Sequence, residues 1–483
     1  MRFVVKYFSE IIVKSRPVRI QFSSRLTDNL RSRLKRVDPN ARIEKFWDRV
    51  VIDSSLPKED MGQILEVLNS TPGVGQYLFV DSFPLVSKED VCEQALRLFK
   101  DRIEDKTFVV RVKRSGNHDF NSTELERQVG GFLLAKSGAK GVKLRQPDYT
   151  VKLEVRDQTV FAVREQYYGL GGFPLGTQGP VLSLISGGFD STVASFDTMR
   201  RGMQTHFIFF NLGGHAHEVG VQEVAYYLWN RYGSTSRVKF VSVPFMDVVA
   251  EMLESVPAPY RGVVLKRMMI RAASTLAEKL NIHALVTGEA IGQVASQTIQ
   301  NLALIDAVAE TVVLRPLITT DKQDIVATAQ KIGTAAFAES IPEYCGIIST
   351  KPVTAGKKHR VKEAEFEFDF SVLDKAVEDT SIIDISELDT LDKTAPDVEV
   401  LNVPLYGSTV IDIRHPDEVE LKPFQLETNA VVNIPFYKLH KEAESLDKTQ
   451  SYMLYCEKGV MSKLHAAHMK AEGFAEVRVF SLL

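Results

Sequence analysis

The stretch GPVLSLISGGFDSTVASFDTMRRG, Gly179 to Gly202, limits what this chain can fold into more than any other. An apolar run, Val181 to Ile185, stops at Ser186-Gly187-Gly188-Phe189-Asp190-Ser191, and a helical pattern follows at once. Strand, glycine loop and helix N-terminus together make an anion site, because exposed backbone N–H groups and the positive helix end point the same way. The glycine pair lets the backbone approach a phosphate closely. Neither the G-x-x-x-x-G-K-[ST] nor the G-x-G-x-x-G spacing is present, so two common nucleotide loops are excluded. From about residue 170 to 345, strand and helix patterns alternate, which predicts a parallel, doubly wound sheet. A second strand-to-glycine transition, HALVTGEAIGQVASQT, takes Ala284–Val286 into Gly288, Glu289, Gly292 and Gln297. In an open α/β sheet it would lie beside the first, where ligands bind. Between the two, one helical pattern carries Lys266, Arg267 and Arg271. Neighbours on a helix diverge by about 100°, so Lys266 and Arg267 take different faces, one open to nucleotide and another to a second substrate. His215, His217 and Glu218 in NLGGHAHEVG lack a fourth ligand at a suitable spacing, which favours a loop role over a metal site.

A chain of 483 residues exceeds what one core supports and predicts three or four domains. No apolar run is long enough to span a bilayer, and the start MRFVVKYFSEIIVKS lacks the continuous apolar centre of a leader, so the expected location is the cytoplasm. The net charge of -3 hides an asymmetry. Met1–Val50 holds 13 Lys or Arg against 5 Asp or Glu, whereas Val361–Val400 holds 3 against 13. The basic end carries RSRLKR, in a helix expected from near Ser23 or Thr27, whose Arg31, Arg33, Lys35 and Arg36 form either a solvated face or a nucleic-acid footprint. Four blocks follow from the patterns. Residues 1–60 form a small α/β unit and 61–165 a second one with the strongly β-patterned TFVVRVKRSG. Residues 166–350 hold the doubly wound sheet, and 401–483 a short α/β block, behind an acidic linker with short helices at 351–400.

Cys92, Cys345 and Cys456 are too few and too scattered for a disulfide framework or a zinc cluster. Cys92, in VCEQALRLF, suits a core position. Cys456 ends the apolar run YMLY and opens the loop CEKGVMS, ahead of a helical pattern. Successive backbone N–H groups there can curl around sulfur as an anion nest, a setting that lowers a thiol pKa from about 8.5 to as little as ~3.5–7.5.

SGGFDS resembles the loop of the PP-loop ATP pyrophosphatases, which cleave ATP between the α and β phosphates to adenylate an oxygen. That resemblance implies that Ser186, Gly187, Gly188, Asp190 and Ser191 hold the pyrophosphate end, with Asp190 near Mg²⁺, and that Leu184 and Ile185 meet adenine. Lys266, Gly288 and Gln297 complete the implied ATP site. FVVRVKRSGNHDFNSTELERQVG (Phe108–Gly130) is similar to the THUMP RNA-binding module, which implies RNA contacts from Arg111, Lys113, Arg114 and His118. VIDIRHPDE (Val410–Glu418) and CEKGVMS resemble the two signature loops of a rhodanese, except that many rhodaneses have Arg where this loop has Met461; Lys458 supplies positive charge instead. In this order the motifs look like the tRNA 4-thiouridine synthetases, also called tRNA sulfurtransferases, in the long form with a C-terminal rhodanese. The resemblance implies a ferredoxin-like N-terminal unit, a THUMP domain, a PP-loop domain and a rhodanese domain. It further implies ATP and Mg²⁺, a persulfide on Cys456, and Cys345 as the resolving thiol that forms a disulfide with it. Expected partners are tRNA, a cysteine desulfurase as sulfur donor, and the sulfur-carrier protein of thiazole synthesis in thiamine formation. Oligomeric state stays open, a homodimer included. Two rival readings remain: a small-molecule adenylating synthetase, and a non-catalytic RNA-binding sulfur carrier.

Overall fold

The computed structural model describes residues 1–341, 351–389, 398–414, 419, 423–435, 439, 442–443, 445–456 and 460–482. Two compact units divide the chain: residues 1–177 with Arg200–Gly202, and the remainder. In the first, β1 (Arg2–Tyr7), β2 (Arg42–Lys45), β3 (Arg49–Asp53), β4 (Val74–Pro84), β5 (Thr107–Ser115), β6 (Gly141–Val142), β7 (Tyr149–Arg156) and β8 (Thr159–Tyr168) form one sheet in the order β2-β3-β1-β4-β8-β7-β5-β6. The long β4 pairs antiparallel with β1 on one side and β8 on the other, so two small α/β halves share a single sheet. Helix Arg16–Leu34 covers the first half, burying Phe22, Leu26, Leu30 and Leu34 at fourfold spacing. Each such burial is worth about 1.5–3 kcal/mol. This helix starts well before the expected Ser23 or Thr27, because Pro17 stands in its first turn, where a missing N–H costs nothing and the fixed φ already suits a helix.

The expected boundary at residue 60 is also displaced. Helix Met61–Asn69 packs Ile64, Val67 and Leu68 into the core that holds Phe3, Leu26 and Tyr77, so it belongs to the first half. The second half has its own core, with Cys92 buried among Phe99, Phe108 and Leu133. Burial pushes the Cys92 thiol up to about 11, which leaves it inert. Its helix Ser122–Lys136 opens with a capping box, the Asn121 side chain accepting from the Glu124 N–H while Glu124 accepts from the Asn121 N–H.

The second unit starts at β9 (Gln178–Leu184), later than the expected 166. With β10 (Met203–Asn211), β11 (Lys239–Pro244), β12 (Ala284–Val286), β13 (Val312–Leu314) and β14 (Ser381–Asp384) it builds a sheet in the order β13-β12-β9-β10-β11-β14. The first five strands are parallel, as the alternation predicts. β14 is an antiparallel edge pairing with β11, and it comes from the segment expected to be a linker. Helix Phe370–Glu378 of that segment packs on helices Met246–Ser255 and Arg261–Lys279. Its apolar Leu373, Ala376 and Val377 are buried, which anchors residues 351–389 to this sheet despite their acidic composition. Residues 390–397 lie outside the described ones.

A third sheet follows: β15 (Val400–Leu401), β16 (Thr409–Asp412), β17 (Val431–Asn433), β18 (Ser451–Tyr455) and β19 (Glu476–Phe480), ordered β15-β19-β18-β16-β17 with every pair parallel. Its helix Val460–Ala471 packs against helix Gly214–Leu228 of the preceding sheet.

Candidate functional site

The chain runs β9, β10, β11 in one direction across the second sheet and then returns to place β12 and β13 on the other side of β9. That reversal is a topological switch point, where the loops after neighbouring strands diverge and leave a crevice at their carboxyl ends. The loops after β9 and β12 are the two glycine transitions seen in the sequence. They are in contact: a Cβ at Gly288 would stand 2.5 Å from the carbonyl carbon of Asp190 and 2.7 Å from the Ser191 nitrogen. Only hydrogen at that position allows the approach.

Within the first loop, Gly187 adopts a left-handed φ of 84°, open to glycine at little cost. The Ser186 N–H donates to Ser191 Oγ at 3.2 Å, and Ser191 Oγ donates to the Gly188 carbonyl at 3.1 Å, so the turn closes on itself. Helix Phe189–Arg200 starts directly from it. Beneath it a buried hydroxyl pair, Ser183 and Ser195 at 2.8 Å, joins the strand to the helix. The Asp190 carboxylate accepts from Lys322 Nζ at 2.9 Å on both oxygens and from Gln293 Nε2 at 2.9 Å. Lys322 begins helix Lys322–Ile332. Sequence reasoning missed it, since an isolated lysine carries no local signal. Its position in the chain shortly after β13, the next strand of the same sheet, is the clue that the switch-point rule could have used.

Lys266 does not stand free over this crevice. Its ammonium bonds Glu289 Oε1 at 2.7 Å, while Glu289 Oε2 accepts from Arg315 Nε at 2.8 Å and from the Thr287 hydroxyl at 3.1 Å. Burial alone would raise the Glu289 carboxyl, but the two cations hold it below the ordinary range. Arg315 in turn grips Asp306 with two bonds, so the second loop is pinned by a chain of charges. Arg267, one of the cations expected to face nucleotide or a second substrate, is instead buried and forms a two-pronged ion pair with Glu365, 98 residues away. The helix face that carries Arg267 is thus spent on anchoring the acidic segment. Gln297 is buried, and among the described residues its Oε1 has no hydrogen-bond partner. His217 is buried edge-on to Phe209, 4.8 Å between centroids, and burial pushes it down to about 4. No group of three His, Cys, Asp or Glu suited to a metal occurs among the described residues, and none of their helices is long and apolar enough to cross a membrane.

In the third sheet, Cys456 follows β18 directly and is buried. Its Sγ accepts from the Ser462 N–H at 3.4 Å and lies 3.3 Å from the Ser462 hydroxyl. One sheet neighbour, β16, ends in a buried Asp412–Arg414 pair at 2.7 Å, and the Arg414 guanidinium lies 5.2 Å from the ring centroid of Tyr455. Cys345, Lys458 and the side chain of Met461 lie outside the described residues.

The candidate RNA contacts divide. Arg31 pairs with Asp28 at the surface, and Lys35 and Arg36 are exposed. Arg33 is turned inward, donating to the Ser70 carbonyl at 2.6 Å and to the Ser70 and Thr71 hydroxyls. Lys113 is exposed, while Arg111 donates to the Leu144 carbonyl. His118 Nε2–H donates to the Asp157 carbonyl at 2.7 Å, which leaves Nδ1 to accept from Arg114. His118 therefore fastens the NHDF turn to the β7–β8 hairpin.

A switch-point crevice with an SGGFDS loop defines a PP-loop α/β domain, here joined to a unit that carries a THUMP module. The model described as Thiamine biosynthesis protein (ThiI) matches residues 176–370, a THUMP domain model 86–162 and a ThiI ferredoxin-like domain model 2–77. The tRNA sulfurtransferase of Saccharophagus degradans is 48% identical over 481 residues, covering 99% of this chain and 100% of the relative. That of Pseudomonas putida is 47% identical over 483 residues, with 99% of each covered. The crystal structure of a 4-thiouridine synthetase–RNA complex with bound ATP superposes with a TM-score of 0.68 at 25% identity, covering 80% of this chain and 99% of that one. PH1313 from Pyrococcus horikoshii shares the fold, with a TM-score of 0.54 at 20% identity over 69% of this chain and all of its own. The chain belongs to the ThiI family of tRNA sulfurtransferases. The matched models end at residue 370, whereas the relatives remain similar through the third sheet.

Proposed function

We propose that this protein converts a uridine of tRNA, at position eight, into 4-thiouridine in an ATP-consuming reaction. The C4 oxygen of uridine is a poor leaving group. Attack of that oxygen on the α-phosphorus of ATP releases pyrophosphate and turns it into a phosphate ester. A sulfur nucleophile then adds at C4 and AMP departs.

The observation that carries this reading is the contact of the Gly288 loop with Asp190 and Ser191 at the switch point, where backbone N–H groups and a helix N-terminus converge. The turn suits a pyrophosphate: Gly187 takes the left-handed φ that the turn needs, with Ile341 packed where a Cβ would stand, and Ser191 holds the turn in shape. Asp190 is the carboxylate suited to Mg²⁺, which would neutralise phosphate charge, and Lys322 is suited to take the released pyrophosphate charge when it parts from Asp190. Lys266 would serve the same site through Glu289 of the second loop, and Gln297, at the end of that loop, would bring an unmatched acceptor.

The third sheet supports a rhodanese-like role for Cys456. A cysteine desulfurase would load its thiol as a persulfide, whose outer sulfur attacks C4. Thiolate attack by Cys345 on the inner sulfur then leaves that outer sulfur on C4 and forms a Cys345–Cys456 disulfide, to be reduced by an external dithiol before the next turnover. The same persulfide would feed the sulfur-carrier protein of thiazole synthesis. The test is to incubate unmodified tRNA with the protein, ATP and a persulfide donor. The expected result is 4-thiouridine, with AMP and pyrophosphate formed in step with it. ATP–pyrophosphate exchange indifferent to tRNA would favour a small-molecule synthetase instead.

A further inference from the structure

We propose that the indole of Trp47 is a stacking platform for an RNA base, set in a basic surface made by Arg16, Arg19 and Lys45. The inference deepens the tRNA-directed reading and rests on it. Trp47 occupies the turn between β2 and β3, and 68% of it is exposed. A tryptophan is seldom left so open, since its large apolar body is normally covered even where its N–H stays wet. The Arg19 guanidinium lies 5.8 Å from its ring centroid. Arg16, three residues earlier on the same helix, is exposed and shares that face. Lys45, exposed on β2, donates to Ser24 Oγ at 2.8 Å and so ties the strand to the helix that carries both arginines.

Negative charge nearby is largely compensated. Asp48, next in the chain, is paired with Arg49 at 2.7 Å and Arg156 at 3.0 Å, leaving Glu44 as the exposed carboxylate of β2. An aromatic face among cations matches a single-stranded or splayed nucleotide, whose base stacks while its phosphate meets the cations. The excess of positive charge in the first fifty residues favours such a polyanion over a protein partner. This surface lies at the opposite end of helix Arg16–Leu34 from Arg33, whose guanidinium is already committed to Ser70.

The test measures binding of an unmodified tRNA transcript to the full-length protein across a range of salt concentrations. Trp47→Ala should weaken binding about 5- to 150-fold. Its slope of log affinity against log salt should stay unchanged, because no cation is lost. Trp47→Phe keeps a stacking ring and should retain most of the affinity. Lys45→Ala should instead lower the slope by about 0.7–0.9. A Trp47→Ala affinity within about twofold of wild type, while wild type binds tRNA, overturns the platform. So does an equal loss in Trp47→Phe, or a loss traced by sedimentation to a change in oligomeric state. Wild type that fails to bind tRNA at all sinks the functional reading and the platform together.

Discussion

The loops that follow β9 and β18 use the same architecture for different chemistry. Each lies between the carboxyl end of a parallel strand and the helix that follows it in the chain. After β9 the turn carries Gly187 and Gly188 and keeps its hydroxyls for itself, so backbone N–H groups are what it presents to an anion. After β18 stands Cys456, and the Ser462 N–H is aimed at its sulfur. The hydrogen bonds of the first loop thus close on the loop itself, and a backbone donor of the second is directed at its own sulfur. The surroundings differ in the same sense: Asp190 lies among Lys322 and Gln293 and is part exposed, whereas Cys456 is buried.

The strongest break of this comparison is removal of the sulfur. Cys456→Ala should reduce 4-thiouridine formation to background while tRNA binding persists, measured by absorbance of the modified tRNA and by direct binding. Full thiolation by this variant would show that the two loops do not divide the work. Gly288→Ala comes next, because its new methyl would press on the backbone at Asp190 and Ser191. Displacing the loop by about 1 Å costs on the order of 10²-fold in kcat/KM. Alkylation of Cys456 should be unaffected, so a parallel loss there would count against independent loops. Ser462→Ala acts on the other side. Losing one hydroxyl contact to sulfur, a hydrogen bond of about 1 kcal/mol, should slow Cys456 alkylation at neutral pH about fivefold and leave ATP binding unchanged.

What the sequence disclosed of this comparison follows from locality. SGGFDS is contiguous, and its strand, turn and helix are set by neighbours, so that loop could be read directly; at CEKGVMS the described residues show the expected strand up to Cys456 and the helix from Val460. The parallel sheet was legible because βα alternation leaves few other arrangements. The short helices of the acidic segment were legible, but its role as a linker was misjudged on composition: most of its charges face water, Glu365 is buried against Arg267, and its Leu373, Ala376 and Val377 follow a helical period that only the neighbouring helices reveal as buried. Arg267 was misjudged because its partner Glu365 is far away in the chain, and helical geometry says which way a side chain points but not what it meets. The boundary at 60 failed similarly, since nothing local tells helix Met61–Asn69 which of two cores to join.

The smallest expected effect separates the loops by pH. His217 is buried on Phe209, with the Ser186 backbone of the first loop facing its imidazole, and burial holds it at about 4, below the ordinary 6.5. Its neutral form is the one that the fold favours. The unfolded chain takes up the proton as pH falls below about 6.5, whereas the folded chain does so only near 4. Stabilisation is therefore complete above 6.5 and is lost as pH falls through that window. Between pH 7 and 5.5 the loss should be about 1 kcal/mol. The chain has two tryptophans, so Trp229 fluorescence in a Trp47→Phe background reports on the second unit by itself. Urea midpoints followed this way should fall on acidification, with part of the slope removed in His217→Gln. His206, on β10 and also held at about 4 by burial, contributes to the part that remains. An unchanged slope in His217→Gln would mean that the imidazole beneath the first loop is not held neutral by the fold.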